Sequence, residues 1–430
     1  MRLDYLKQLD LGERKNNQNQ LKKAMMNNRR NFLKAGLLAT AAVGLPSGQS
    51  EAKTFQGEVK SYRRLGRTNL EISDISFGTS RLRTGEEHLI EHAIDRGVNY
   101  FDSAEGYTRG QAEKVLGNAL KGKRDKVYLV SKTMIDANTS ESELMTRLEG
   151  SLKSLQTDYV DIYMNHAVND VDVVANPEWQ SFIETAKRQG KVRFTGISGH
   201  GGYLVDCVNY ALDHDMIDLM LTAYNFGQDP KFYEGLTRRL DWIATQEELP
   251  KAISRAKSMD VGVVAMKTLM GARLNDMRPY EKDGSTYAQA AFKWVLSNPE
   301  VDALVITMKS IEEINEFLDA SGKQEISTID NHLLKQYAKL NGMSYCKQVC
   351  NSCEGACPAQ VPIADVMRTR MYAIDYKDLE FAKDEYALLG DAASSCLTCS
   401  GQPCQNACPK GIEISKWCAP THRMLSRQIA

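Results

Sequence analysis

Four side chains with complementary proton chemistry stand at, or just after, the ends of short apolar runs. Asp102 and Tyr107 lie in Phe101-Asp102-Ser103-Ala104-Glu105-Gly106-Tyr107, Lys132 in Val130-Ser131-Lys132-Thr133, and His166 in Tyr163-Met164-Asn165-His166. Together they can move a proton to a carbonyl oxygen. A tyrosine of ordinary pKa, about 10, is a poor acid at neutral pH, but a neighbouring ammonium stabilises its phenolate. Lys132 is therefore expected to lower the pKa of Tyr107. Asp102 would hold Lys132 charged and oriented, and His166 would hydrogen-bond the substrate oxygen or join the proton relay. Any one such residue is more often a merely paired polar group. Four of complementary type on three consecutive runs argue for a site.

The second concentration of chemistry is cysteine. Of ten, eight fall between Cys346 and Cys408, and the first 345 residues hold only Cys207. They form Cys346-x3-Cys350-x2-Cys353-x3-Cys357-Pro358 and Cys396-x2-Cys399-x4-Cys404-x3-Cys408-Pro409. The spacing is close to the bacterial ferredoxin run C-x2-C-x2-C-x3-C-P, whose fourth Cys ligates the other cluster. All eight are candidate ligands of two 4Fe-4S clusters. Longer gaps at the start of the first set and in the middle of the second leave the crossing of ligands open. Zinc is one alternative, although zinc ribbons use two pairs of ligands rather than runs of four ending in Pro. Disulfides are the other, in an exported protein. Cys207, in the helical pattern Val205 to Leu212, is expected in the core, and Cys418 has no assignable partner.

These residues need elements to hold them. From about residue 62 to 322, short β-branched runs alternate with amphipathic helical stretches, the rhythm of βα repetition. The predicted strands are Ile72 to Phe77, Val98 to Ser103, Val127 to Lys132, Val160 to Asn165, Val192 to Ser198, Leu219 to Tyr224, Val261 to Lys267 and Val301 to Thr307. Predicted helices between them include Glu141 to Leu155, with Leu144, Leu148 and Leu152 at spacing four, and Tyr287 to Leu296. Eight such units fit a (β/α)8 TIM barrel of typical size, about 250 residues, in which chemistry sits at the C-terminal strand ends. A doubly wound sheet is the alternative, but no Gly-rich phosphate loop follows the first strand. Beyond Gly322 the strand rhythm stops, and residues 323–430 are predicted to form a mostly helical, ferredoxin-like two-cluster domain.

The set Asp102, Tyr107, Lys132 and His166, with Leu65-Gly66-Arg67-Thr68-Asn69-Leu70 and Phe77-Gly78-Thr79, resembles the aldo/keto reductases over about residues 62–322. The resemblance implies Tyr107 as general acid/base, Lys132 tuning it, Asp102 pairing with Lys132, His166 orienting the carbonyl, and NADP(H) as cofactor. Gly196-Ile197-Ser198 is similar to the family strand whose Ser contacts the carboxamide, and Ile306-Thr307-Met308-Lys309-Ser310 to its phosphate-binding segment. Ser198 and Lys309 are thus candidate cofactor contacts, with His200 and Lys267 beside them. Elsewhere the chain departs from the family. Gly199 stands where Asn is usual, Leu221 where Gln is, Met266 where an aromatic stacks under nicotinamide, and Glu313 and Phe317 where Arg and Asn clamp the adenosine end. Glu in place of Arg opposes a ribose phosphate, so the cofactor that the family implies is opposed by these residues. His200-Gly201 is similar to the branch of the family that carries ferredoxin-like tails. At its strand end His200 has two readings, a substrate contact or a structural hydrogen bond.

Residues 1–52 read as a targeting segment. Residues 1–34 hold nine Lys/Arg against three Asp/Glu and end in Arg29-Arg30-Asn31-Phe32-Leu33-Lys34, followed by a short apolar run to Leu45 and small residues to Ala52. This resembles a twin-arginine signal and implies a periplasmic location. Eleven apolar residues cannot cross a hydrocarbon core that needs about 20, so no stable membrane span is expected. A net charge of -1 with 25% charged residues leaves no basic excess to attract nucleic acid. The chain thus reads as an oxidoreductase that interconverts a carbonyl and an alcohol on a small-molecule substrate, with electrons passing through two clusters to or from a redox partner that the sequence does not identify. The alternatives are an electron-transfer subunit with a retired barrel, and an NADPH-dependent reductase with structural clusters.

Overall fold

Parallel strands covered on both faces read as nearly unbroken apolar runs, and here Val160–Asn165 and Leu219–Ala223 are buried at every residue. The computed structural model describes residues 55–229, 248–270, 276–281, 284–341, 346, 350, 352–409 and 411–426. Its strands are β1 (Tyr62–Arg64), β2 (Glu71–Ser73), β3 (Ile75–Gly78), β4 (Tyr100–Asp102), β5 (Tyr128–Thr133), β6 (Val160–Asn165), β7 (Val192–Gly199), β8 (Leu219–Ala223), β9 (Gly262–Met266) and β10 (Ala303–Thr307). β1 and β2 form an antiparallel hairpin. β3 to β10 close in chain order into an eight-stranded parallel barrel, β10 returning to β3. The chain is therefore a (β/α)8 barrel and not a doubly wound sheet.

The helices of the barrel layer are α1 (Glu87–Asp95), α2 (Gln111–Ala119), α3 (Glu141–Leu155), α4 (Val171–Val174), α5 (Pro177–Arg188), α6 (Leu204–Asp213), α7 (Glu248–Ser258), α8 (Tyr287–Leu296), α9 (Ile311–Leu318) and α10 (Thr328–Asn341). Local chemistry starts them where it should. Ser140 accepts from the Glu143 amide ahead of α3, and Thr286 and Gln289 form a reciprocal capping box ahead of α8. Leu144, Leu148 and Leu152 then fall on one buried face of α3. Cys207 is buried in this layer.

The first predicted strand divides in two. Asp74 breaks it because its carboxylate accepts from Ser321 Oγ at 2.6 Å and from the Gly322 amide at 2.8 Å, which ties the hairpin to the end of the barrel. On the same side, Leu65, Leu70 and Ile72 pack with the barrel interior of Tyr100, Val130, Ile162, Leu219 and Val264 and form its floor. Gly66 makes this approach possible: it sits at φ +46, and a Cβ there would lie 2.3 Å from the Gly262 amide nitrogen. The opposite end of the barrel stays available for polar groups.

Beyond the last strand, α10 packs onto the barrel through Leu333, Leu334 and Tyr337. Tyr337 stacks on Tyr287 of α8, with centroids 4.1 Å apart, and meets Phe226 edge-on. The tail then forms α11 (Ile363–Ile374), α12 (Leu379–Ala387), α13 (Pro403–Ala407) and α14 (Ile414–Leu425) around a core of its own, including Val361, Val366, Ala382, Tyr386, Ile414 and Cys418. Tail and barrel belong to one unit, Phe55–Ala430. The arginine-pair segment lies outside the described residues. Among the described residues no helix is long and apolar enough to cross a membrane.

Because Tyr337 is fully buried between two aromatic rings, Tyr337→Ala should lose about 3–5 kcal/mol, the usual cost of emptying a large aromatic site. Thermal unfolding of the full chain measures this. An unchanged melting temperature would mean that α10 contributes nothing to the barrel.

Candidate active site

Asp102, Lys132 and His166 end, or directly follow, the neighbouring strands β4, β5 and β6, so the parallel register brings their side chains to one rim. Tyr107 comes from the turn after β4. Lys132 is fully buried, and its Nζ donates to Asp102 Oδ1 at 2.7 Å and to the Ser103 carbonyl at 2.5 Å. The ammonium also lies 4.9 Å from the centre of the Tyr107 ring, which meets the His166 ring edge-on at 5.5 Å. The four predicted residues are thus one cluster. Among the described residues the Tyr107 hydroxyl makes no hydrogen bond, and it opens on a cavity of about 330 Å³.

One electrostatic expectation is reversed. Lys132 does not acidify Tyr107: burial first, then the Asp102, Glu385 and Tyr372 charges, hold the phenol well above its usual pKa. The reason is the pairing of Lys132 with Asp102, which cancels much of the ammonium's field. Burial also lowers the pKa of Lys132 and raises that of Asp102. His166 is kept neutral, its pKa driven well below the normal value by burial and by the Lys132, Lys267 and Arg368 charges.

The proposed cofactor contacts line the same cavity, with different partners. Ser198 is buried, and its hydroxyl accepts from the amide of Ala167, the residue after His166. Lys309 is half-exposed, and Glu313 both accepts from its backbone amide at 2.9 Å and stands 4.0 Å from its ammonium. Leu221, Met266 and Phe317 present apolar surface. Lys267 follows β9 in a left-handed conformation, φ +58, and its ammonium has no hydrogen-bond or ion-pair partner among the described residues. Burial and the Arg368 charge bring its pKa down to about 7.

The far wall of the cavity belongs to the tail, which the sequence reading did not assign to this site. Met371 and Tyr372 of α11, Asp375 at its C-terminal end, and Phe381 and Glu385 of α12 face the barrel mouth. Behind them Arg368 contacts His200 Nδ1 and lies 2.6 Å from Asp365. Burial, then the Arg368 and Lys267 charges, push the pKa of His200 well below the normal value. Arg81 and Arg83 both reach Asp378, at 2.5 and 2.7 Å, and Arg109 reaches Asp384 at 2.7 Å. A signal for this wall did exist: Asp365, Arg368, Tyr372 and Asp375, at spacings three, four and three, share one helix face.

The cysteines sort into two neighbourhoods. Cys346 feels the charges of Cys350, Cys353 and Cys408, whereas Cys404 feels those of Cys357, Cys396 and Cys399. Burial, then these charges, raise the pKa of Cys346 and of Cys404. Cys418 lies near enough to Cys396 to bring the pKa of that thiol down to about 7. Among the described residues no cysteine is in a disulfide. Among the described residues no three His, Cys, Asp or Glu side chains converge closely enough to hold a single metal ion.

Comparison with known proteins agrees with the barrel. Residues 74–278 match the model of the aldo/keto reductase family, and residues 26–46 that of the twin-arginine translocation pathway signal sequence. An uncharacterized oxidoreductase of Bacillus subtilis, YqkF, is 23% identical over 307 residues, covering 64% of this chain and 96% of its own. L-galactose dehydrogenase of Arabidopsis thaliana is 24% identical over 313 residues, covering 64% and 92%. In structure, an aldo-keto reductase from Bacillus halodurans superposes with a TM-score of 0.51 at 20% identity, covering 64% of this chain and 95% of its own.

Asp102→Ala would leave the Lys132 ammonium buried without its carboxylate and should cost about 3–5 kcal/mol. Denaturant titration measures the loss, and pairing Asp102→Leu with Lys132→Met should restore most of it. Equal losses in the single and double variants would show that the ion pair is not the source.

Proposed function

Because residues 74–278 carry an aldo/keto reductase domain and make this chain an oxidoreductase of that type, we propose that it interconverts a carbonyl and an alcohol on a small substrate, with electrons passing through two 4Fe-4S clusters held by its tail. The observation that carries this reading is a shared pair of helices. α11 and α12 turn Tyr372 and Glu385 toward the tetrad, and Val366, Ala382 and Tyr386 toward the cysteine core. The same two helices thus border both the cavity and the cysteine core.

The cysteine groups fit such clusters. Cys346, Cys350 and Cys353 with Cys408, and Cys396, Cys399 and Cys404 with Cys357, make two sets of four in the crossed pattern of two-cluster ferredoxins. Thiols that raise one another's pKa favour a cationic centre that relieves the repulsion. Bound clusters supply electrons one at a time.

Turning a carbonyl into an alcohol consumes two electrons and two protons: Tyr107 is placed to give the proton at the oxygen, and the proton that ends on carbon would be drawn from solvent, with the two electrons coming from reduced clusters. Its raised pKa keeps that proton in place through the neutral range, yet an alkoxide is a stronger base than a phenolate and takes it readily. The reverse direction needs a phenolate, which burial and Asp102 disfavour. His166, held neutral, can donate a second hydrogen bond to the same oxygen. The twin-arginine signal supports work in the periplasm after export in the folded state.

Tyr107→Phe removes the proton and keeps the ring, so the chemical step should slow by roughly 10²- to 10⁴-fold. Anaerobically purified protein should hold about eight irons and eight acid-labile sulfides per chain, with or without the substitution. Undiminished turnover in the variant would remove the barrel from the mechanism, and stoichiometric zinc without visible absorbance would remove the clusters. NADPH should bind weakly or not at all, since Glu313 occupies Lys309. Tight NADPH binding with turnover after the clusters are stripped would favour a conventional reductase. Replacing Arg29 and Arg30 by Lys should retain a folded precursor in the cytoplasm, and equal periplasmic yield would refute the export route.

A further inference from the structure

One end of the cavity presents hydrogen-bond donors that no acceptor meets. Lys267 projects its ammonium from a left-handed strand end, and no carboxylate among the described residues lies within ion-pair distance. Backbone conformations of this kind, unfavourable for a side chain such as lysine, concentrate at ligand sites. Arg368 has an unsatisfied donor too: its Nε is buried without a partner, although the side chain is only 11% exposed.

Arg368 also fixes the chemistry of His200. A guanidinium can only donate, so in its contact with His200 the ring Nδ1 must accept. Asp365 stands farther from the same nitrogen, at 3.5 Å, and does not displace it. With Nδ1 accepting, a neutral ring would carry its proton on Nε2. His200 lines the cavity as a second donor beside Lys267. The tail has set the tautomer of a barrel residue.

We propose that Lys267 and His200 Nε2 bind the carboxylate of the substrate, with Tyr107 and His166 on its carbonyl oxygen, so that the substrate class is the oxo-carboxylic acids. The inference rests on the reading of this cavity as the site of carbonyl chemistry. A carboxylate offers two oxygens to two donors. A doubly charged phosphate fits less well, because Glu385 and Asp375 face the same space and would repel it.

The charged and titratable groups around Lys267 fix the pH response. Arg368 and Asp365 face it from α11, Glu385 from α12, and His166 and His200 from the rims of β6 and β7. Burial raises the pKa of the Glu385 carboxyl, although Arg368 and Lys267 oppose the shift. As pH rises through about 7, Lys267 loses its positive charge, and Glu385, whose carboxyl burial holds above its usual pKa, gains its negative charge later than an ordinary carboxyl. Both changes weaken the hold on an anion, which is strongest below that value.

The test is calorimetric binding to anaerobically purified full chain, using oxamate as an unreactive oxo-acid, acetamide as the same carbonyl without a carboxylate, and inorganic phosphate. Oxamate should bind at least about tenfold tighter than either, and tighter at about pH 6 than at about pH 8.5. Lys267→Met should weaken oxamate roughly 10- to 100-fold, the loss expected for a hydrogen bond to a charged group, and should flatten the pH profile. Should that variant misfold, the ligand comparison and pH profile in the unaltered protein still decide. Oxamate bound no better than acetamide, tighter binding of phosphate, or an unaffected Lys267→Met protein would overturn the proposal. Tyr107→Phe separates the two readings. Oxamate binding together with undiminished turnover in that variant would refute the proton-donor role and leave the carboxylate site standing, while failed oxamate binding together with slowed turnover would do the opposite.

Discussion

A lysine with no exposed surface can remain charged only if an acceptor meets it, and Asp102 meets Lys132 at 2.7 Å. The rest of the site is arranged around that requirement. Removing both charges from water is costly, and an interior pair is retained only where the geometry fixes it and further hydrogen bonds satisfy the ammonium, as the Ser103 carbonyl does here. The pair needs a dry rim. It also sets a rigid floor beside Tyr107 and His166, whose rings pack at right angles over it. Burial first, and then the Asp102 charge, make the phenol a reluctant acid.

Dryness comes from the tail. A barrel mouth is ordinarily open, yet here Tyr372, Tyr376 and Phe381 close one side, and the guanidinium of Arg81 lies over the last two rings, 5.0 and 5.4 Å from their centres. Its salt bridge with Asp378 is nearly buried, which distinguishes it from the exposed Arg109 and Glu380 pair, worth little alone. Arg109 matters by position. It and Thr108 hold left-handed conformations directly after Tyr107, so the tail carboxylate that grips Arg109 also braces the turn that presents the phenol.

The barrel was legible because its signals are local: apolar runs of strand length, helices with spaced leucines, and polar residues at consecutive strand ends. Asp102, Lys132 and His166 could be assigned to one rim because parallel strands in register bring their ends together. The ionisation of Tyr107 was not legible, since it depends on how completely Lys132 and Asp102 cancel, a matter of distance and burial. Nor was the cavity's second wall. Arg368 and Glu385 read as ordinary charged positions on tail helices until packing sets them opposite β7 and β9. The break at Asp74 was hidden for a similar reason, its partners Ser321 and Gly322 being almost 250 residues away.

The clamp between Arg81 and Asp378 joins positions 297 residues apart, and that separation has a temporal meaning. Contacts so distant along the chain form only after nearly all of it has been synthesised, and closing so long a loop carries an entropic cost that local contacts do not. The floor and strands can assemble early from neighbouring segments. The roof cannot. A chain in which α11 and α12 had not yet docked would therefore hold a barrel whose mouth lacks Tyr372, Phe381 and Glu385, and the chamber exists only once those helices are in place. Completeness of the polypeptide is in this way built into the chemistry, as the last step of its own maturation.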